Sequence, residues 1–179
     1  MTDAAHRPVL FLDVDGPLIP FGATSRQLPD GYPTYATDVD ADGHAGDDSA
    51  ANPLLARINP KHGSRLAALP CDLVWATTWM ADANDCVAPR LGLPALPVLD
   101  WPEPTRADER AGLHWKTRPL VHRAAGRTFA WVDDEISDAD RAWVAEHHPG
   151  RALLHRVDPC FGLTDADFAA LDAWLHANH

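Results

Sequence analysis

Basic residues are scarce in this chain. Fifteen Lys and Arg stand against 26 Asp and Glu, a formal net charge of -11. A surface that acidic repels a polyanion, so an extended track along nucleic acid is disfavoured. Cysteine is scarce too. Cys71, Cys86 and Cys160 lie far apart and form no CxxC pair. Neither a zinc site nor a disulfide framework is indicated. No apolar run approaches the roughly 20 residues that span a bilayer, so no membrane partner is expected. Residues 1–8 are polar and lead straight into a short apolar stretch, unlike a signal peptide. The expected location is cytoplasmic. Nothing in the sequence speaks to oligomeric state.

What is present fits one compact domain. The chain has 179 residues, 46% of them apolar and 23% charged, enough to bury a core without covalent staples. Five short apolar runs read as strands: 9–13 (VLFLD), 72–76 (DLVWA), 96–99 (LPVL), 128–132 (TFAWV) and 152–157 (ALLHRV). The first, second and fourth are nearly continuous, as in strands covered on both faces. Helical patterns fall between them, over 59–69, 79–91, 118–125 and 138–147. A last helix opens at Thr164-Asp165-Ala166-Asp167, a capping-box pattern. Alternation of this kind predicts an α/β domain, a doubly wound, Rossmann-like, mostly parallel five-stranded sheet. Such sheets bind ligands at the carboxyl ends of their strands.

Residues 20–53 depart from that rhythm. From Gln27 to Ala56 there is no Lys or Arg but there are six aspartates. This excursion is a long loop or a minimal cap inserted after the first strand. Residues 102–110 read as a second polar loop, and Arg106, Arg110 and Arg118 read as solvated surface residues, with a local anion pocket near Lys116 as the alternative. Seven tryptophans are many for this length, and they read first as core and lining residues.

Chemistry-bearing residues cluster at strand ends. The first strand leaves through Asp13-Val14-Asp15-Gly16. A glycine turn can bring both carboxylates to one mouth, where one attacks and the other handles protons. The second strand ends in Thr77-Thr78, and either hydroxyl could hold a phosphate oxygen beside a helix start. Lys116 precedes a helix and could neutralise a phosphate. The fourth run ends in Asp133-Asp134-Glu135. Three acids directly after a buried strand are costly without a cation among them, and a hard divalent ion suits carboxylates.

In this order the residues resemble the haloacid-dehalogenase-like (HAD) superfamily. Its DxD motif matches Phe11-Leu-Asp-Val-Asp-Gly16, and its strand ending in Thr or Ser matches Leu73-Val-Trp-Ala-Thr77. Its lysine before a helix matches Lys116, and its terminal acid pair matches Trp131-Val-Asp-Asp134. The strings LDVDGPL, VWATTW, WVDDE and GLT look most like the small HAD domains of bacterial nucleic-acid repair proteins of the Swiss Army Knife type.

The resemblance implies a phosphatase that works through an aspartyl-phosphate. Asp13 would attack phosphorus. Asp15 would protonate the leaving oxygen and then activate water, with its backbone carbonyl on the metal. Thr77, or its neighbour Thr78, would bind a phosphate oxygen, and Lys116 would balance charge. Asp13, Asp15, Asp133 and Asp134 would hold Mg2+, with Asp138 an alternative second late acid. Asp15 favours a phosphate ester over a haloalkane, because only the ester has a leaving alkoxide to protonate. The implied substrate is a phosphorylated small molecule such as a nucleotide or sugar phosphate, a nucleic-acid end or a phosphoprotein. The competing readings are phosphotransfer to an acceptor on the same scaffold and a non-catalytic phosphate- or metal-binding module.

Overall fold

The computed structural model describes residues 7–35, 52–101 and 106–178. Four parallel strands form its sheet: β1 (Val9–Leu12), β2 (Asp72–Trp75), β3 (Phe129–Asp133) and β4 (Ala152–Arg156), in the order β2-β1-β3-β4. Within the described residues the helices are α1 (Lys61–Ala68), α2 (Ala88–Leu91), α3 (Arg106–Ala111), α4 (Thr117–Ala124), α5 (Asp138–His147) and α6 (Asp165–Ala177).

Strand alternation builds the layers. Val9 and Phe11 of β1 join Val74, Phe129, Trp131 and Leu154 on one face, beneath Leu120 and Ala124 of α4 and Val144 of α5. Leu10 and Leu12 turn the other way, toward Leu66 of α1, Leu91 of α2 and Phe168, Leu171 and Leu175 of α6. Every residue of β1 and β3 is buried, which is why those segments are apolar without alternating. The doubly wound α/β expectation therefore holds.

The expected fifth strand does not form. Residues 96–99 make a single isolated bridge, Trp75↔Val98. It rests on two backbone bonds, Trp75 N–H to Pro97 O at 2.9 Å and Leu99 N–H to Trp75 O at 2.7 Å. Pro94 and Pro97 carry no N–H, so the segment cannot extend a ladder along the edge of β2. The sheet has four strands, not five.

The helix expected over 79–91 is also broken up. Met80 has φ +50°, a left-handed residue that interrupts the first turns. A wide turn over Ala83–Val87 follows, closed by Ala88 N–H to Ala83 O, and only Ala88–Leu91 is α-helical. Asn84 ties this turn to the sheet edge. Its Oδ1 accepts Trp75 Nε1–H and Leu96 N–H, both at 2.8 Å, and its Nδ2 donates to Leu96 O at 2.9 Å. Gly63 lets α1 lie against α2, since a Cβ there would fall 1.7 Å from Leu91 O.

Of the remaining helices, α1, α4, α5 and α6 match expectation closely. α5 spans its expected residues and carries a capping box, Ser137 with Asp140. The Thr164 and Asp167 box opens α6. Residues 106–111 are helical where a loop was expected. In the excursion after β1, residues 20–35 form no helix or strand and Pro53–Arg57 makes one 3-10 turn. The rest of that expected cap, 36–51, lies outside the described residues, as does 102–105. Among the described residues no helix is long and apolar enough to cross a membrane.

Candidate active site

Pairing register brings the acids together. β1 and β3 run side by side with Leu12 opposite Val132, and Asp13 N–H donates to Val132 O at 3.0 Å. Asp13 follows Phe11 by two residues and Asp133 follows Trp131 by two. Period-two alternation therefore sends both carboxylates to the α4 face. The start of α4 meets them there with Lys116.

Lys116 Nζ donates to Asp13 Oδ2 at 2.7 Å and to Asp133 Oδ2 at 2.7 Å. All three side chains are buried. Asp13 Oδ1 accepts Val14 N–H at 2.7 Å. Asp133 Oδ2 also accepts Trp131 Nε1–H at 3.1 Å, and its Oδ1 accepts Glu135 N–H at 2.9 Å. Burial drives the Asp13 carboxyl up to about 7. Lys116 pulls against that rise and Asp133 adds to it. Burial disfavours the Lys116 charge, but attraction to Asp13 and Asp133 outweighs it and leaves the ammonium pKa raised.

Asp134 completes the acidic group. Ligand atoms of Asp13, Asp133 and Asp134 lie within 4.8 Å of one another. Asp134 is pushed up to about 6, chiefly by burial and then by Asp133. The chain approaches it closely at Gly16, whose φ is +88°. A Cβ there would sit 2.6 Å from Asp134 Oδ1. Three buried carboxylates thus face one ammonium, and the uncompensated negative charge fits a divalent cation with oxygen ligands. Asp138 is not part of this group. It opens α5 with a fully exposed side chain, 4.0 Å from Arg141.

Thr77 and Thr78 part company. Thr77 is fully buried just beyond β2, whereas Thr78 is exposed. Ala76 N–H donates to Leu12 O at 2.8 Å, so Thr77 emerges next to Asp13 along the sheet end. Thr77 Oγ1 accepts Trp79 N–H at 3.3 Å, which leaves its own O–H to donate. Asp15 is half-buried and stands apart from the other acids. Its Oδ2 accepts Trp79 Nε1–H at 3.1 Å. The backbone around it is pinned by Gly16 N–H to Ile19 O, and by Leu18 and Ile19 N–H to Val14 O, each at 3.0 Å.

Several partners here carried no sequence signal. Trp79 and Trp131 read as core residues, yet each gives its indole N–H to a site acid. Asp140 accepts His114 N–H at 2.8 Å and Thr117 Oγ1–H at 2.6 Å on one oxygen. On the other it accepts Ser137 N–H at 2.9 Å and Oγ–H at 2.6 Å. It therefore staples the loop that carries Lys116 to the start of α5. The Ser137-x-x-Asp140 spacing marks the cap but not the staple. His114 Nδ1 accepts Lys116 N–H at 3.2 Å, which places the ring proton on Nε2, 3.1 Å from Glu135. Arg118 pairs with Asp108 and lies over the Trp143 ring. The 470 Å³ cavity bounded by Val9, Asp72 and Arg127 sits at the opposite, amino end of the strands.

Comparison with known proteins adds one finding. No curated protein and no solved structure matches the chain. A family model does match, over residues 9–168, from β1 into α6. The matched span includes all four strands and the loops that follow them. The chain belongs to the family of HAD domains in Swiss Army Knife RNA repair proteins.

Proposed function

We propose that this domain is a magnesium-dependent phosphomonoesterase that uses Asp13 as a covalent nucleophile. The observation that carries the reading is the placement of one buried ammonium 2.7 Å from both Asp13 and Asp133 at the carboxyl ends of adjacent strands. Phosphoryl transfer asks mainly for positioning and for neutralisation of charge, and that arrangement supplies both.

In the first step an Asp13 oxygen bonds to phosphorus and the bond to the leaving oxygen breaks. Asp15 gives its proton to that oxygen. In the second step water adds to the aspartyl-phosphate, Asp15 takes the water proton, and the bond to Asp13 breaks to release phosphate. The Thr77 hydroxyl donates to a phosphoryl oxygen. Lys116 offsets the negative charge shared by Asp13 and the phosphoryl group. Asp13, Asp133 and Asp134, with the Asp15 carbonyl, would hold Mg2+, which would neutralise charge where nucleophile and phosphoryl group meet.

Substrate class follows from two features. The family takes its description from RNA repair proteins, which supports a terminal phosphate on a nucleic acid or nucleotide. The net charge of -11 favours contact with an end over a long footprint. The test is phosphate release from aryl phosphate and from 3′- and 5′-phosphorylated oligonucleotides with Mg2+ present. Turnover that survives Asp13→Asn, or an inert wild type across the panel, contradicts the reading.

A further inference from the structure

Trp79 joins the two halves of the site. Its backbone N–H donates to Thr77 Oγ1 at 3.3 Å, and its indole Nε1–H donates to Asp15 Oδ2 at 3.1 Å. Its ring packs, half-buried, against the cluster that contains Leu12 and Trp75. The Asp15 backbone is already held by a bridge to Ile19 and by the bond from Gly16 N–H to Ile19 O. Rotation of the carboxyl group is the freedom left to Asp15, and the indole restrains it.

We propose that Trp79 is a positioning residue for proton transfer, selecting which oxygen of Asp15 carries the mobile proton. The inference rests on the reading of Asp15 as acid and base. An indole N–H donates and cannot accept. The oxygen that receives it, Oδ2, keeps a lone pair engaged, which leaves Oδ1 as the oxygen open to exchange a proton with the substrate. Among the described residues Oδ1 takes no hydrogen bond. As the bond from phosphorus to the leaving oxygen breaks, that oxygen keeps the electron pair and takes the Oδ1 proton. As water then bonds to phosphorus, Oδ1 takes back a proton and the Asp13 oxygen recovers its electrons. The same oxygen serves both steps because Trp79 occupies the other one.

A ring that only fills space would serve equally well as phenylalanine. Leaving-group dependence separates the two roles. An aryl oxide leaves with little help, whereas an alkoxide needs the proton. The experiment measures kcat/KM of full-length wild type, Trp79→Phe, Asp15→Asn and the double variant with Mg2+, using an aryl and an alkyl phosphate. Trp79→Phe is expected to slow the alkyl ester about tenfold and the aryl ester less than about twofold, the effect of one hydrogen bond to a catalytic acid. In the Asp15→Asn background it is expected to cost nothing further. The Trp79 indole N–H resonance is expected to shift on Asp15→Asn whether or not substrate turns over.

An equal loss on both esters, a loss that persists beside Asp15→Asn, or an unmoved indole resonance overturns the role of Trp79 while leaving the phosphatase reading intact. A wild type inert on both esters overturns that reading and this role with it.

Discussion

Lys116 Nζ donates to Asp133 Oδ2 at 2.7 Å inside the domain, where both side chains are almost completely shielded from water. The same nitrogen holds Asp13, so one cation compensates two carboxylates from neighbouring strands. Lys116→Met is therefore expected to destabilise the domain by about 3 kcal/mol, the cost of leaving buried charge unpaired. It should lower kcat at least about a hundredfold through loss of charge stabilisation. Urea denaturation and aryl phosphate kinetics check the two effects separately. Mg2+ should restore part of the stability and little of the activity.

Asp140 is expected to matter through the loop it staples. Its four accepted hydrogen bonds fix His114 and Thr117 on either side of Lys116. Asp140→Ala should cost about 2–4 kcal/mol, as buried donors lose a charged acceptor. It should also reduce kcat more than it raises KM, because Lys116 loses its placement.

The same residue predicts a pH effect. Burial pushes the Asp140 carboxyl up, but hydrogen bonds from Ser137 and Thr117 outweigh it and hold the pKa below the ordinary value of 3.8. A carboxyl depressed by folding stabilises the protein above its unfolded pKa. That stability fades as the pH falls through the folded pKa. Wild type should therefore lose stability relative to Asp140→Asn as the pH drops below about 4. Denaturant melts of both proteins at pH 6 and near pH 3 check the sign. A constant difference between them contradicts the assignment.

Gly16 tests the acidic group. At φ +88°, with Asp134 Oδ1 2.6 Å from the position a Cβ would take, Gly16→Ala combines left-handed strain of about 1–2 kcal/mol with displacement of Asp134. Mg2+ should raise the wild-type Tm through binding to the folded state alone. The rise should shrink in Gly16→Ala and in Asp134→Ala, and should be unchanged in the exposed Asp138→Ala. Calorimetry with and without Mg2+ reads all four proteins.

Parts of this molecule were legible in its sequence for physical reasons. β1 and β3 are buried on both faces, so their apolar runs are unbroken, and the acids that end them stand out. α5 is stopped by Pro149-Gly150, which marks its end in the sequence. The segment 96–99 misled because an apolar run looks like a strand even where a proline, here Pro97, has no N–H to give to a ladder. Thr77 and Thr78 could not be separated by type, since only burial distinguishes them. The contribution of Trp79, Trp131 and Asp140 was hidden for one shared reason. Each acts through a polar atom that is placed by tertiary packing; the two tryptophans read as core residues, and Asp140 was not singled out at all.

The central claim is that Asp13 becomes phosphorylated. Acid quenching during turnover of an aryl phosphate with Mg2+, followed by peptide mass spectrometry, tests it most directly. The account predicts a phosphoryl group on the peptide containing Asp13, trapped early in turnover, and neither label nor turnover in Asp13→Asn. Label on another residue, or turnover that persists in Asp13→Asn, contradicts it.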